Sequence, residues 1–253
     1  MKPQRLKARR LTGWGLTGWG LKAMSLALLA AAMPAGQARA QAYQCTLPQR
    51  IERPREPRPD GPVRRVPVAG YILAASWSPE YCKMSGEKGT MQCSSRNGRF
   101  GFILHGLWPE AKAGPPPQWC NIRPRPSADL IRRNLCMTPA PRLLEHEWAK
   151  HGSCMVKKPE TYFKISAILW RSIIWPDADR LSRGRNLTAG DLRSAFVRAN
   201  PGWKTSHVGI LASRTGWLRE VHLCYGRDFM PTDCPRRNFG PADTASLKIW
   251  RGL

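Results

Sequence analysis

The chain is predicted to fold as an α+β domain, and three observations carry that prediction. Strand-like segments come first, helix-like segments follow, and two further strand-like segments come late. That order suits α+β rather than an alternating, doubly wound sheet. All eight cysteines lie beyond residue 40 of the 253, an even count that reads as a disulfide framework in an oxidising compartment. The stretch beyond residue 40 is long enough for one domain with a sizeable core.

Residues 1–40 read as a secretory signal. Lys2, Arg5, Lys7, Arg9, Arg10 and Lys22 form a basic region, Ala23 to Ala35 is apolar, and Ala38-Arg39-Ala40 offers small residues at a cleavage spacing. The apolar run is too short for a permanent anchor, and no later segment reaches that length. The expectation is an exported protein, periplasmic or extracellular, without stable membrane insertion. The flanks of Arg9-Arg10 fit a twin-arginine signal poorly, and the repeat of Leu11-Thr-Gly-Trp-Gly at Leu16 falls inside the leader. Removing 1–40 takes away seven basic residues and no acidic ones, so most of the formal charge of +24 remains. Such a field attracts nucleic acid, acidic polysaccharide or anionic membrane without distinguishing among them.

Residues 41–67 form an N-terminal arm. Its 48–67 portion is so rich in proline and charge that it is expected to be extended and mobile, either adding affinity for a polyanion or doing nothing. The domain proper is then 68–253. Val68 to Trp77 reads as a first strand. Arg99 to His105 reads as a second, with Phe100, Phe102 and Leu104 alternating against Gly101 and Ile103. Gly106 is expected to end that strand and leave His105 at its terminus. Residues 110–128, rich in Pro and Gly, form a long loop of the kind that lines binding sites. Ser127 caps a helix to Leu135, and Pro141 to His151 is helical. Pro159 to Ile174 is a helix with Pro at its start. Thr188-x-x-Asp191 resembles a capping box for a helix through Leu192, Phe196 and Val197 that stops at Pro201-Gly202. Val208 to Ser213 and Trp217 to Tyr225 read as strands around Arg214-Thr215-Gly216.

Two blocks carry the chemistry: Phe102-Ile-Leu-His105-Gly-Leu-Trp108-Pro109 and His146-Glu147-Trp-Ala-Lys150-His151-Gly-Ser-Cys154. On a helix, Glu147, Lys150 and His151 are spaced i, i+3, i+4 and share one face. His146 lies about 140° away from His151 at about 100° per residue. The two histidines of the block stand at i and i+5, which excludes the His-Glu-x-x-His geometry of a zinc protease, and no Cys-x-x-Cys pair supports a zinc ribbon. No metal or cofactor is expected. Two imidazoles, a carboxylate and an ammonium suit metal-free cleavage of RNA. One imidazole takes the 2′-hydroxyl proton, the other protonates the departing 5′-oxygen, and the lysine meets the charge that develops on phosphorus. His207 and His222 belong to neither block and read as structural. Trp77 and Trp148 read as core.

Both blocks resemble the two signature segments of the ribonuclease T2 family, His-Gly-Leu-Trp-Pro and His-Glu-Trp-x-Lys-His-Gly-x-Cys. Weaker similarity runs through Tyr71 to Cys82 and Glu220 to Tyr225, so the resemblance covers roughly residues 70–235. It implies an antiparallel core sheet with helices packed on one side. It implies His151 as general base and His105 as general acid, with Glu147 and Lys150 stabilising the pentacoordinate phosphate. His146 would help hold a phosphate, Trp108 would stack on a base, and Glu110 would lie near that base. The product would be a 2′,3′-cyclic phosphate, hydrolysed more slowly by the same histidines. Pro115-Pro116-Pro117 stands where many relatives carry a second stacking aromatic, which suits low base specificity. The resemblance also pairs Cys120 with Cys154 and Cys224 with Cys234. Cys82 with Cys93 is a plausible local loop, and Cys45 and Cys136 remain.

The expected partner is RNA and the expected state a monomer. One alternative is an inactive basic RNA-binding protein on the same scaffold, against which the joint presence of His105, Glu147, Lys150 and His151 argues. The other is a cationic membrane-active protein whose cleavage is incidental.

Overall fold

The computed structural model describes residues 42–84, 86 and 88–251; the leader read at 1–40 lies outside the described residues. Its elements are β1 (Ala42–Cys45), β2 (Gly70–Trp77), α1 (Ser78–Met84), β3 (Gly98–Phe100), β4 (Phe102–Glu110), α2 (Ala128–Asn134), α3 (Pro141–Lys150), α4 (Pro159–Ser172), α5 (Ala178–Leu181), α6 (Ala189–Ala199), β5 (Val208–Ala212), β6 (Leu218–Gly226) and α7 (Arg236–Phe239). Four strands form an antiparallel sheet in the order β4-β2-β6-β5, and β1 pairs with β3 in a separate ribbon. This is the expected α+β class.

Strand alternation decides what each face does. Leu73, Ala75 and Trp77 of β2 join Val221 and Leu223 of β6 on one face. There they meet Leu144, Trp148, Tyr162, Phe163, Trp170 and Phe196 from the helices, and this layer is the main core. Among the described residues, the opposite face holds a small apolar cluster, Ile72, Ala74 and Cys224, with Trp108 and Cys234 packed against it. β2 pairs with β6 so that Ala74 faces His222 and Ser76 faces Glu220. Polar side chains therefore line up on the face the helices leave open.

The helices start where their caps say. Ser127 Oγ accepts from Leu130 N at the start of α2. Thr188 and Asp191 form a reciprocal capping box at α6. Pro141 and Pro159 occupy the first turns of α3 and α4. Arg193 of α6 is fully buried, and its guanidinium donates to Val208 O, Asp243, Phe239 O and Pro241 O, which ties the later chain to the core. Four disulfides join Cys45–Cys136, Cys82–Cys93, Cys120–Cys154 and Cys224–Cys234. No helix of the described residues is long and apolar enough to cross a membrane.

Two expectations need correction. The stretch 48–67 is extended, but it is docked rather than free. Arg64 and Gln118 exchange backbone hydrogen bonds at 3.0 and 3.1 Å. Arg125 donates to Pro54 O at 2.7 Å and pairs with Glu145 at 2.6 Å, while Arg53 donates to Pro126 O at 3.1 Å. Leu47 and Ile51 pack against the core. Proline removes the backbone donors that a sheet would need, but it leaves carbonyls, and the many arginines satisfy them. Secondly, β4 does not end at Gly106. It continues to Glu110, and His105 sits inside the strand.

Candidate active site

The position of His105 is set by a register break. Ala74 pairs with Gly106 and Ala75 with Leu104, so His105 is the extra residue of a β-bulge. A bulge re-aims the side chain it carries, and here His105 turns toward the open face. Gly106 leaves room for this arrangement, since a Cβ there would collide with Glu147 Oε2 and lie 2.7 Å from Trp108 Nε1.

The last turn of α3 delivers the second half. Glu147 is 3 % exposed, and its carboxylate lies between the two imidazoles: Oε1 is 3.5 Å from His105 Nε2, and Oε2 is 3.9 Å from His151 Nε2. Trp108 Nε1 donates to Glu147 Oε2 at 2.6 Å. The Trp108 ring stands 5.1 Å from His105 and 5.4 Å from His151, so one indole walls both. Cys154, just beyond α3, holds the loop through Cys120. The strand bulge and the distant helix end thus converge, as the two blocks require.

Other residues complete the cluster. Glu220 Oε1 is 2.6 Å from His105 Nδ1 and accepts from Ser76 Oγ at 2.8 Å, and its Oε2 is 3.0 Å from His222 Nε2. His222, read from sequence as structural, lies at the site with its ring 5.5 Å from Trp108. Lys150 is not free: its Nζ donates to Asp60 Oδ2 at 2.7 Å, and Trp119 Nε1 donates to Asp60 Oδ1 at 3.0 Å. Trp119 takes a positive φ of 56° and donates its backbone N–H to Lys150 O at 2.8 Å.

Two sequence candidates stand apart. His146 packs edge-on to Trp119 at 5.3 Å rather than on Trp108. Glu110, two residues beyond Trp108 on β4, has its carboxylate held by Arg237. Among the described residues, no group of three or more His, Cys, Asp and Glu side chains is arranged to hold a metal ion.

Ser76, Glu220, Asp60, Trp119 and His222 lie outside the two blocks, and the sequence does not mark them as site residues. The sequence signals for Glu220 are an acidic residue inside a strand and the weaker family similarity over Glu220 to Tyr225, and neither assigns it a role. Asp60 gave none, because its segment read as a free arm.

The cluster splits the two histidines electrostatically. At His105, burial opposes the charged form, but the charges of Glu147 and Glu220 and the Glu220 hydrogen bond outweigh it, and the imidazole is pushed up to about 9. At His151, burial and then the Lys150 ammonium both act against protonation, and the pKa falls to about 3. Burial lifts Glu147 to about 7 despite the His105 charge and the Trp108 bond. Glu220 is held well below the usual carboxylate range: burial works against its charge, but the bonds from His105 and His222 prevail. His146 is lowered by burial and by Lys150. At neutral pH one imidazole is charged and the other is not.

An antiparallel sheet with helices on one face, carrying its two signature segments into one cluster on the other, defines the class of this protein. The sequence model of the Ribonuclease T2 family matches residues 69–178. A probable ribonuclease of Haemophilus influenzae is 30 % identical over 183 residues, covering 67 % of this chain and 62 % of its own. A ribonuclease of Aeromonas hydrophila is 32 % identical over 165 residues, covering 62 % of this chain and 72 % of its own. The chain thus spans a little under two thirds of the first relative's length. Trichomaglin, described as an S-like ribonuclease, superposes with a TM-score of 0.57 at 23 % identity, over 72 % of this chain and 98 % of its own. RNase NT in complex with 5′-AMP does so with 0.54 at 20 %, over 73 % and 98 %. The chain belongs to the ribonuclease T2 family.

Proposed function

We propose that this protein is a metal-independent endoribonuclease that cleaves single-stranded RNA by transesterification through a 2′,3′-cyclic phosphate. It works as a monomer with low base specificity. The observation that carries the reading is the pair of imidazoles on either side of Glu147, shifted in opposite directions. His151, neutral, takes the proton of the 2′-hydroxyl. The 2′-oxygen attacks phosphorus, and the P–O5′ bond breaks. His105, charged, gives its proton to the departing 5′-oxygen, so each step conserves protons. In the slower second step the roles exchange: His105 draws a proton from water, which opens the cyclic phosphate, and His151 returns a proton to the 2′-oxygen.

Glu147 and Lys150 would face the phosphate as it becomes pentacoordinate. A carboxylate can serve there because its raised pKa leaves it partly protonated near neutral pH. Glu220 is a positioning residue: it aims Nε2 of His105 by holding Nδ1, and it favours the imidazolium. Trp108 is the aromatic beside both imidazoles and the candidate surface for a base. His146, near Lys150 and shifted toward its neutral form, would hold a neighbouring phosphate by a hydrogen bond rather than by charge. Glu110, engaged by Arg237, would reach a base only after exchanging that partner. The four disulfides support export to the periplasm or beyond, with residues 1–40 as signal, 41–67 as a docked N-terminal segment and 68–253 as catalytic domain.

The test is cleavage of RNA by the purified chain in EDTA, beside His105→Ala and His151→Ala. Loss of more than about 10³-fold in each variant is expected, given about 10²–10⁴ for general acid–base catalysis. Loss of parental activity in EDTA, or RNA bound but left intact, would overturn the proposal.

A further inference from the structure

A cleft opens beyond the end of the sheet that carries Ser76 and Glu220. It encloses about 590 Å³, within the range of about 300–1,000 Å³ common for ligand sites. Leu187, Leu247 and Ile249, all buried, form its floor. Trp217 and Trp250 form a wall, with rings edge to face at 5.8 Å. Cations surround them. Lys83 Nζ lies 3.5 Å from the centre of the Trp250 ring and 5.1 Å from that of Trp217, and Lys248 Nζ lies 5.7 Å from Trp217. Exposed Arg251 stands at the same rim. None of the described lining residues is acidic.

The wall is held in place. Trp250 O accepts from Trp77 Nε1 at 2.8 Å, which anchors it to the core. Lys248 N donates to Gly216 O at 2.7 Å, and Leu218 N donates to Lys248 O at 2.8 Å. Two preset indoles with lysines over and beside them form the combination that single-stranded nucleic acid uses: bases stack on aromatic faces, and phosphates meet cations. An anionic surface lacking bases would have no use for the indoles. Trp217 precedes Glu220 by three residues, about 10 Å along a strand at about 3.3 Å per residue.

We propose that this cleft is a second docking site for single-stranded RNA, in which bases stack on the cleft-facing sides of Trp217 and Trp250 while Lys248 and Arg251 take phosphates and Lys83, outside the lining, braces the indoles. It rests on the ribonuclease reading above and extends it to a stretch of the strand outside the scissile bond. The site would hold a long substrate without touching the reacting atoms.

The experiment measures binding of a labelled 2′-deoxy oligonucleotide of about ten nucleotides, within the span of about 4–16 that such grooves cover. It lacks the internal nucleophile, so binding is read without cleavage. The full chain is compared with Trp217→Ala, with the exposed double variant Lys248→Glu/Arg251→Glu, and with His105→Ala. We expect Kd to rise about 5- to 150-fold in Trp217→Ala, the equivalent of about 1–3 kcal/mol per stacked base, and at least about 5-fold in the charge variant. The charge variant should also lose at least about 1 in the salt slope. His105→Ala, which takes a charge out of the active site, should lose cleavage but leave the effect of Trp217→Ala on Kd unchanged when the two are combined. Cleavage of a dinucleotide should be unchanged in the cleft variants, while KM for long RNA rises and kcat holds. Unchanged Kd in the cleft variants would overturn the proposal, as would a base-free polyphosphate matching the oligonucleotide in affinity and in sensitivity to Trp217→Ala. A chain that binds normally but cuts nothing would instead overturn the ribonuclease reading alone.

Discussion

Glu220 grips Nδ1 of His105 at 2.6 Å with the same oxygen that accepts from Ser76, while its other oxygen meets His222. The contact spans two strands, from β6 across β2 to the bulge of β4. A bulge gives one side chain a direction that the pleat would not, and Glu220 secures that direction from beyond the neighbouring strand.

The Glu220→Gln variant keeps the shape and removes the charge. Without the carboxylate, the His105 imidazolium loses a stabilising partner, so the pKa of the proposed acid falls. The alkaline limb of kcat should move to lower pH, and kcat at neutral pH should drop about 10- to 100-fold, as expected for a loosened general acid. A pH–rate profile of parent and variant checks this. An unshifted limb would mean that Glu220 only packs.

The parent's own profile is set by the signs of the shifts. The rate should rise as pH climbs through the low value of His151, because the base must be neutral. It should fall as pH passes the raised value of His105, because the acid must keep its proton. With about 3 and about 9 as the limits, the profile is broad and centred near about 6, on the acid side of neutrality. A rate still rising beyond about pH 9 would contradict the assignment of roles.

Asp60 holds the Lys150 ammonium that the mechanism asks to face a phosphate. A substrate phosphate must compete with that carboxylate. Asp60→Asn is expected to lower KM for RNA by about 2- to 5-fold with little change in kcat, in line with about 0.5–1 kcal/mol for a pair that solvent still reaches. Steady-state kinetics at two ionic strengths would decide. A fall in kcat instead would mark Asp60 as a support for Lys150.

Gly106→Ala tests the packing beneath the site. The added methyl would drive Glu147 from Trp108, and misplacing a reacting group by about 1 Å costs on the order of 10²-fold in rate. Activity should fall by about that factor, while circular dichroism stays near that of the parent.

Much of the fold was legible because its determinants are local. Ser127, Thr188 with Asp191, Pro141 and Pro159 mark helix starts by filling or dispensing with orphan N–H groups, and the structure starts helices there. Gly216, at φ +83°, turns the chain between the last two strands. The site was legible only where its residues lie within the two blocks. Gly106 looks like a strand terminator and so puts His105 at a strand end, whereas a bulge depends on the partner strand. Glu220 and Ser76 meet across 144 positions of sequence, and no period or spacing encodes that pairing. The docking of 48–67 is not legible in the sequence because its partners, Arg125, Gln118 and Glu145, lie far along the chain. The short α1, α5 and α7 span four to seven residues and carry no periodic pattern to read.

The disulfides should contribute unequally. Cys45–Cys136 links positions 91 apart, and Cys82–Cys93 links positions 11 apart. Loop-closure entropy gives about 4–5 kcal/mol for the former and about 3 for the latter. Paired Cys→Ser variants compared by denaturant melts should rank in that order. The reverse order would show that native packing around the short loop outweighs chain entropy.

The central claim is that the two imidazoles move protons on one phosphodiester, and the products test it most directly. Phosphorus NMR of a defined dinucleotide treated with the protein in EDTA should show a 2′,3′-cyclic phosphate appear first and decay later to a 3′-phosphate, with neither signal growing in His105→Ala or His151→Ala. A 5′-phosphate from the first time point, or cyclic product formed by either variant at near-parental rate, would contradict it.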